Sequence, residues 1–318
     1  MARLSAFSSS APNSNGRLAS PRNTNAPTPP TPSHDSRSAS PSPQLPAPTT
    51  DNDDDDNDDD DFDWDRDPER YQELTRALPS DATLFPSGSR SLAHIALQAF
   101  SLGAVLAGSL AVLAWLVALR PGPPHALWRL PAFAACLSVF HYLEFYVTAA
   151  HNTRAARADS FLLFTNGVVY EAAHALAAAE AVAGARVPAW GGLWSGPWSV
   201  VLGLCLVVGG QAVRSVAMAQ AGTNFSHVPA RTRRAGHELV THGVYAWLRH
   251  PSYFGFFWWA LGTQVLMGNT VCLVGYAVTL WVFFQRRIVA EERTLVKFFG
   301  AEYEAYRARS STGIPFIR

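Results

Sequence analysis

The residues best suited to chemistry crowd the last third of the chain. Arg249-His250-Pro251-Ser252-Tyr253-Phe254-Gly255 gathers a guanidinium, an imidazole, a hydroxyl and a phenol around one proline. Pro251 suits the first position of a helix and restricts His250 to extended backbone. A helix starting there presents unpaired backbone N–H groups and the positive end of its dipole, which favours an anion such as a cofactor carboxylate. The same residues serve equally well as anchors at a membrane interface, and spacing alone does not separate the two readings. Downstream, Arg287 and Glu291 lie four apart and share a helix face. The plain outcome is a helix ion pair worth about 0.2–0.5 kcal/mol, in the weaker order. The chemical outcome is a guanidinium held beside a bilayer to grip a carboxylate through its planar fork. Two polar runs precede these groups: Gly222-Thr223-Asn224-Phe225-Ser226-His227, and His237-Glu238-Leu239-Val240-Thr241-His242-Gly243-Val244-Tyr245.

The elements that must position them are apolar. Residues 1–90 carry 16 acids against 8 Arg, and residues 91–318 carry 9 acids against 17 basic residues, so the net charge of +0 conceals an acidic tail on a basic body. Residues 1–50 are rich in Ser, Pro, Asn and Thr, and Asp51 to Asp67 is nearly continuous acid. Such a tail buries too little apolar surface to offset chain entropy and is expected to be disordered and solvated. Met1 to Ser10 lacks the apolar run of a signal peptide, so the first span is expected to direct its own insertion. The body holds 9 of the 10 Trp and long apolar runs, which reads as a membrane protein. Ser91–Leu119, Leu130–Ala150, Phe161–Ala183 and Leu193–Ala219 each reach about 20 residues, enough to cross hydrocarbon as a helix. Tyr253–Met267 and Val271–Phe284 are shorter and read as a helical hairpin about Gly268-Asn269-Thr270. Ile288–Arg309 reads as a polar-faced last helix, with Leu295, Phe298, Phe299, Tyr303 and Tyr306 near one side.

The fold class expected is therefore all-α: a polytopic transmembrane bundle of about six spans, the last two a short hairpin, with a cytosolic C-terminal helix. The organisation is a tail over 1–90, four spans over 91–219 and a chemical region over 220–318. Arg154 and Arg157, then Arg231, Arg233, Arg234 and Arg249, then the C-terminal bases fall on one side, which places both termini in the cytosol. Gly103/Ala107 and Ala104/Gly108 are small-residue pairs suited to close helix packing. His141, Glu144, Glu171, His174 and Glu180 interrupt apolar helices, where ionisable groups are expensive. Glu171 and His174 match a Glu-x-x-His metal spacing, but interhelical hydrogen bonding is the expected use and no metal is expected. Cys136, Cys205 and Cys272 lie in apolar runs and read as inert thiols. No dense basic patch with interleaved aromatics points to nucleic acid.

From Gly222 to Ile317 the chain resembles the isoprenylcysteine carboxyl methyltransferase family. The resemblance rests on Gly222-Thr223-Asn224-Phe225, Leu239-Val240-Thr241, Gly243-Val244-Tyr245-Ala246-Trp247, Arg249-His250-Pro251-Ser252-Tyr253 and Gly262-Thr263-Gln264-Val265. It continues through Phe298-Phe299-Gly300, Glu302-Tyr303 and the ending Thr312-Gly313-Ile314-Pro315-Phe316-Ile317. It implies a multi-pass enzyme of the endoplasmic reticulum membrane that uses S-adenosyl-L-methionine in a cytosol-facing pocket. By matching position, His237, Leu239, Val240, Tyr245, His250, Pro251, Ser252, Tyr253 and Glu291 would line the cofactor pocket, and Arg287 would contact substrate. Two departures stand out: Ala230 occupies the place of a Gln that some members use, and the acidic run is only Glu291-Glu292, of which the register selects Glu291.

The implied substrates are prenylated CaaX-processed proteins, such as small GTPases and mating-factor-like peptides, held in the lipid bilayer. A C-terminal carboxylate has an ordinary pKa of about 3.3–3.7 and is already ionised, so no general base is needed. Phe254, Phe256, Phe257, Trp258 and Trp259 offer an apolar wall for a prenyl chain, or plain lipid-facing packing. The rival readings are a phospholipid N-methyltransferase, a sterol reductase and a non-enzymatic receptor for prenylated tails.

Overall fold

The computed structural model describes residue 69 and residues 81–318, apart from 123–124, 188–195, 230–231 and 234–235. The acidic tail, Ala230, Arg231, Arg234 and the first residues of the expected fourth span lie outside the described residues. From Asp81 to Arg318 the chain forms one compact unit. Its helices are α1 (Leu92–Ala114), α2 (Arg129–His151), α3 (Val168–Arg186), α4 (Pro197–Ala221), α5 (Pro251–Met267), α6 (Val271–Phe299) and α7 (Ala301–Arg309). Among the described residues the only β pairing is an isolated bridge, Leu248 to Ser311.

Among the described residues, four stretches are long and apolar enough to cross a membrane: Leu92–Leu119, Ala126–His151, Pro197–Asn224 and Val271–Phe299. Helices α3 and α5 are not among them; α5 has 17 residues. Helix α1 starts on Ser91, whose hydroxyl accepts from the His94 N–H, and ends in a π turn over Trp115–Leu119. Leu97, Phe100, Leu110, Trp115 and Leu119 stand exposed on it, an apolar surface that suits hydrocarbon.

Three expectations need correction. The expected third span starts at Phe161, but the helix starts at Val168. Leu162 and Gly167 take positive φ values of 56° and 83°, which breaks any helix between them. The second arm of the hairpin is not short. Gln285, Arg286 and Arg287 are good helix formers, so nothing stops the chain at Phe284 and α6 runs 29 residues. The break falls instead at Gly300, φ 56°, which separates α6 from α7 inside the expected last helix. Thirdly, the small-residue pairs on α1 meet no close neighbour among the described residues: a Cβ on Gly103 or Gly108 would meet open space.

The close helix contact lies between α4 and α5. A Cβ on Gly210 would sit 2.6 Å from the Gly255 carbonyl oxygen, and one on Gly255 would sit 2.5 Å from the Gly210 carbonyl oxygen. Gly203 and Gly262, one heptad before Gly210 and after Gly255, are equally hemmed in. The backbones therefore touch, and Gly255 lies one turn beyond Pro251. Gly255→Val is expected to lower stability by about 1–3 kcal/mol through overpacking, and to reduce activity by displacing the start of α5. Thermal unfolding in detergent checks this, and an unchanged midpoint would show that the contact can open without cost.

The polar groups within the bundle are tied across helices. His141 donates from Nδ1 to the Phe161 carbonyl at 2.8 Å, which leaves Nε2 to accept from Tyr170 Oη at 3.1 Å. His174 Nδ1 shares a 2.7 Å hydrogen bond with Tyr276 Oη. Glu180 accepts from the N–H groups of Thr270, Val271 and Cys272 at 2.7–2.8 Å, so a carboxylate on α3 caps the positive end of α6. Beside it, Asn269 donates to the Ala177 carbonyl and to Gln264 Oε1, both at 2.9 Å, which locks the hairpin turn.

Candidate functional site

Helix α5 starts as the sequence requires, with Pro251 at its first position and His250 outside the helical region at φ −128°. The turn before it is clamped to the C-terminal segment. Arg249 donates from Nε to Glu292 Oε1 at 2.5 Å and from Nη1 to the Ser310 carbonyl at 2.9 Å. His250 Nε2 lies 3.2 Å from the same Glu292 oxygen. Glu292 is therefore occupied in a buried cluster, while Glu291, about 100° around α6, faces away from it. The ending Thr312–Ile317 packs back on the bundle: Ile314 and Ile317 are buried in the core, and Trp281 Nε1 donates to the Pro315 carbonyl at 2.8 Å.

The loop after α4 is held by polar side chains from α4, from the end of α2 and from the loop itself. Asn152 donates to the Phe225 carbonyl at 3.1 Å, Glu238 N–H donates to Asn224 Oδ1 at 3.1 Å, and Val244 N–H donates to Gln220 Oε1 at 2.9 Å. Arg233 reaches the far end of α6, donating to the Phe298 carbonyl at 2.9 Å. Between this loop, the start of α5 and the α6–α7 break opens a cleft of about 940 Å³ including its mouth. His237, Leu239, Val240, Tyr245, His250, Pro251, Ser252, Tyr253 and Glu291 all line it. So do Leu295, Phe298, Phe299, Tyr303 and Tyr306, which meet across the Gly300 break. Tyr245 donates its hydroxyl to the Ala217 carbonyl at 3.2 Å, so its ring serves the cleft and its oxygen serves α4. Tyr303 is buried and its hydroxyl has no hydrogen-bond partner among the described residues. Burial, with the Glu292 charge nearby, raises the Tyr303 phenol above its usual range, so it stays a neutral donor.

Arg287 lines a second, adjoining cavity of about 500 Å³ including its open mouth. Phe225, Ser226, Ser252 and Tyr253 border both spaces. Arg287 and Glu291 make no direct ion pair. Arg287 Nε donates to Tyr253 Oη at 2.8 Å, and Tyr253 in turn donates to Glu291 Oε2 at 2.5 Å. One phenol thus joins the two residues that the four-residue spacing had paired. Arg287 Nη2 also donates to the His227 carbonyl at 2.6 Å.

The walls of this second cavity differ from the expected aromatic set. Phe257 and Trp259 are buried in the core and only Phe256 of the five lines the cavity, because α5 is covered by its neighbours on several sides. Phe140, Phe225, Phe283 and Phe284 supply the apolar wall instead. Sequence reading also missed Arg214. It forms a bidentate pair with Glu144, through Nε to Oε1 and through Nη2 to Oε2 at 2.7 Å, and its Nη1 donates to Ser252 Oγ at 2.9 Å. The available signal was a lone Arg within an apolar span, which demands a buried acid. His227 stood in the polar run Gly222–His227 but was given no role of its own: it lines the second cavity, and its Nε2 is buried with no hydrogen-bond partner among the described residues.

A helical fold among the described residues, with four stretches long and apolar enough to cross a membrane and an open cleft joined to an aromatic-walled cavity that carries a guanidinium, defines an integral membrane protein. The chain belongs to the isoprenylcysteine carboxyl methyltransferase family. The family model for isoprenylcysteine carboxyl methyltransferase matches residues 201–297. The protein-S-isoprenylcysteine O-methyltransferase of Saccharomyces cerevisiae is 44% identical over 189 residues, 58% of this chain and 79% of that protein. The Homo sapiens protein of the same name is 45% identical over 186 residues, covering 58% of this chain and 64% of its own length. The solved structure of a eukaryotic intramembrane Ras methyltransferase, isoprenylcysteine carboxyl methyltransferase, is similar with a TM-score of 0.64 and 36% identity, over 70% of this chain and 77% of that one.

Proposed function

We infer that this chain methylates the C-terminal α-carboxylate of a prenylated cysteine, with S-adenosyl-L-methionine as donor. The observation that carries the reading is Arg287 in an aromatic-walled cavity, joined through Tyr253 to Glu291 in the neighbouring cleft. The cleft suits the donor: its aromatic wall attracts a sulfonium and an adenine face, Glu291 accepts hydrogen bonds, and the Tyr303 hydroxyl awaits an acceptor. His237, Leu239, Val240, Tyr245, His250, Pro251, Ser252, Tyr253 and Glu291 are the residues proposed to hold it. When bound, the donor supplies an electrophilic methyl on a sulfonium that leaves as a neutral thioether once a carboxylate oxygen takes the methyl.

The protein's task is placement. Arg287 holds an already ionised carboxylate, and orientation of the two partners supplies about 7–11 kcal/mol when geometry is near attack. Tyr253, fixed between Glu291 and Arg287, sets the distance between the two ligands. The grip of Arg287 is moderated by its two internal hydrogen bonds, which matters because tighter ground-state pairing does not raise the rate. The phenylalanine wall takes the first prenyl units, so the lipid anchor, worth about 0.8 kcal/mol per CH₂, need not leave apolar surroundings. An amine substrate, as in phospholipid N-methylation, would be repelled by Arg287. The proposed setting is the endoplasmic reticulum membrane with the site and both termini on the cytosolic side, supported by the basic loops, and prenylated small GTPases and mating-factor-like peptides as substrates.

Membranes containing the chain, given labelled S-adenosylmethionine and N-acetyl-S-farnesylcysteine, are expected to yield product that releases methanol in base. A base-stable methylamine formed on phospholipid, or binding of the farnesylated acid without transfer, would reject the assignment.

A further inference from the structure

Arg287 meets the second cavity with part of its fork already used. Nε is given to Tyr253 and one Nη2 hydrogen to the His227 carbonyl, which leaves Nη1 and the other Nη2 hydrogen for a ligand. A carboxylate presents about four lone-pair sites, so one guanidinium edge holds it without satisfying it. The next donor must come from the cavity wall, and His227 stands there. Its carbonyl fixes Arg287, the residue lines the same cavity, and its Nε2 is buried with no hydrogen-bond partner among the described residues. Nδ1 lies 3.7 Å from Glu144 Oε2, too long for a direct hydrogen bond, and that carboxylate is already engaged by Arg214.

Among the described residues, the charged groups that act on the ring are Glu144 from α2, Arg214 from α4 and Arg287 from α6. Burial, offset by Glu144 and reinforced by the two guanidinium groups, pushes the imidazole down to about 4. The ring is therefore neutral at neutral pH and has one proton to place. An arriving carboxylate favours that proton on Nε2. A buried nitrogen left without a partner is costly, and a ligand oxygen removes that cost.

We propose that His227 is a second substrate-binding residue, its Nε2–H donating to the carboxylate that Arg287 grips, so that imidazole and guanidinium together fix which oxygen faces the methyl donor. The proposal rests on the methyl-transfer reading above and adds to it a residue and a contact.

The test uses the full chain in lipid nanodiscs, as wild type, His227→Phe and His227→Gln. Phenylalanine keeps the ring and its edge contact with Phe225, whereas glutamine returns an N–H donor near the position of Nε2. Steady-state kinetics with N-acetyl-S-farnesylcysteine are read beside calorimetric binding of that acid and of S-adenosylmethionine. For His227→Phe, kcat/KM is expected to fall about 10- to 100-fold, the value of one hydrogen bond to a charged group, and binding of the acid to weaken in step. S-adenosylmethionine binding is expected to stay within about twofold, and His227→Gln to recover most of the loss. The proposal is overturned if His227→Phe stays within twofold of wild type, if affinity for S-adenosylmethionine falls equally, or if glutamine is as impaired as phenylalanine. A wild-type chain that binds the acid but transfers no methyl would sink the methyl-transfer reading alone, because acid binding by the three proteins still decides the role of His227.

Discussion

Arg287→Ala is expected to lower kcat/KM for a prenylcysteine acid by about 10²–10³-fold while S-adenosylmethionine binding changes no more than a few-fold. Truncating one partner of a buried, hydrogen-bonded charge pair costs about 2–5 kcal/mol, and each 1.4 kcal/mol is a factor of ten. The separation of the two effects follows from the layout: Arg287 lines the second cavity and not the cleft. Arg287→Lys is expected to recover only part of the loss, because an ammonium keeps the charge but cannot hold Tyr253 and the His227 carbonyl while meeting a carboxylate edge. Initial rates and calorimetric titrations on the same preparations check this. Equal loss of donor binding and transfer would mean that Arg287 merely braces Tyr253 and Glu291, and its substrate role would fall.

The second large effect concerns stability. Glu144 and Arg214 are both buried, one on α2 and one on α4, and Arg214 also donates to the Ser252 carbonyl at 3.2 Å and to its hydroxyl at the start of α5. Its guanidinium carbon lies 5.5 Å and 5.4 Å from the ring centroids of Phe140 and Phe256. Removing one partner leaves a charge in apolar surroundings, so Arg214→Met and Glu144→Leu are each expected to cost about 3–5 kcal/mol. The double variant should be less impaired than either single one, since it removes both desolvation penalties, although Ser252 still loses its donor. Thermal unfolding in detergent reads the stabilities. Additive losses in the double variant would show that the two groups act independently.

Most of the cleft was legible because its residues lie in short runs that obey local rules. Pro251 announces a helix start, and that places His250, Ser252 and Tyr253 together without any knowledge of the rest of the chain. The family resemblance then carried His237, Leu239, Val240 and Tyr245 to the same wall. The choice between Glu291 and Glu292 was of another kind. Both belong to one helix, and only the packing of α6 against the Arg249 turn decides that Glu292 is consumed by Arg249 and His250 while Glu291 reaches Tyr253. The aromatic wall was misplaced for a related reason: apolar side chains look alike to periodicity, whether they face lipid, core or cavity.

By itself the sequence determined the apolar lengths that make helices, the basic and acidic halves, the proline start of α5, the Gly268 turn and the four-residue relation of Arg287 to Glu291. These depend on chain chemistry within one or two turns. Only the tertiary structure decided that α4 and α5 touch through Gly210 and Gly255, that Glu144 answers Arg214, that Tyr253 stands between Arg287 and Glu291, and that His227 borders the same cavity as Arg287 and fixes it through its carbonyl. Each joins segments distant in the chain, and the energy that selects it, close packing of backbones or the need of a buried polar group for a partner, exists only once those segments have met.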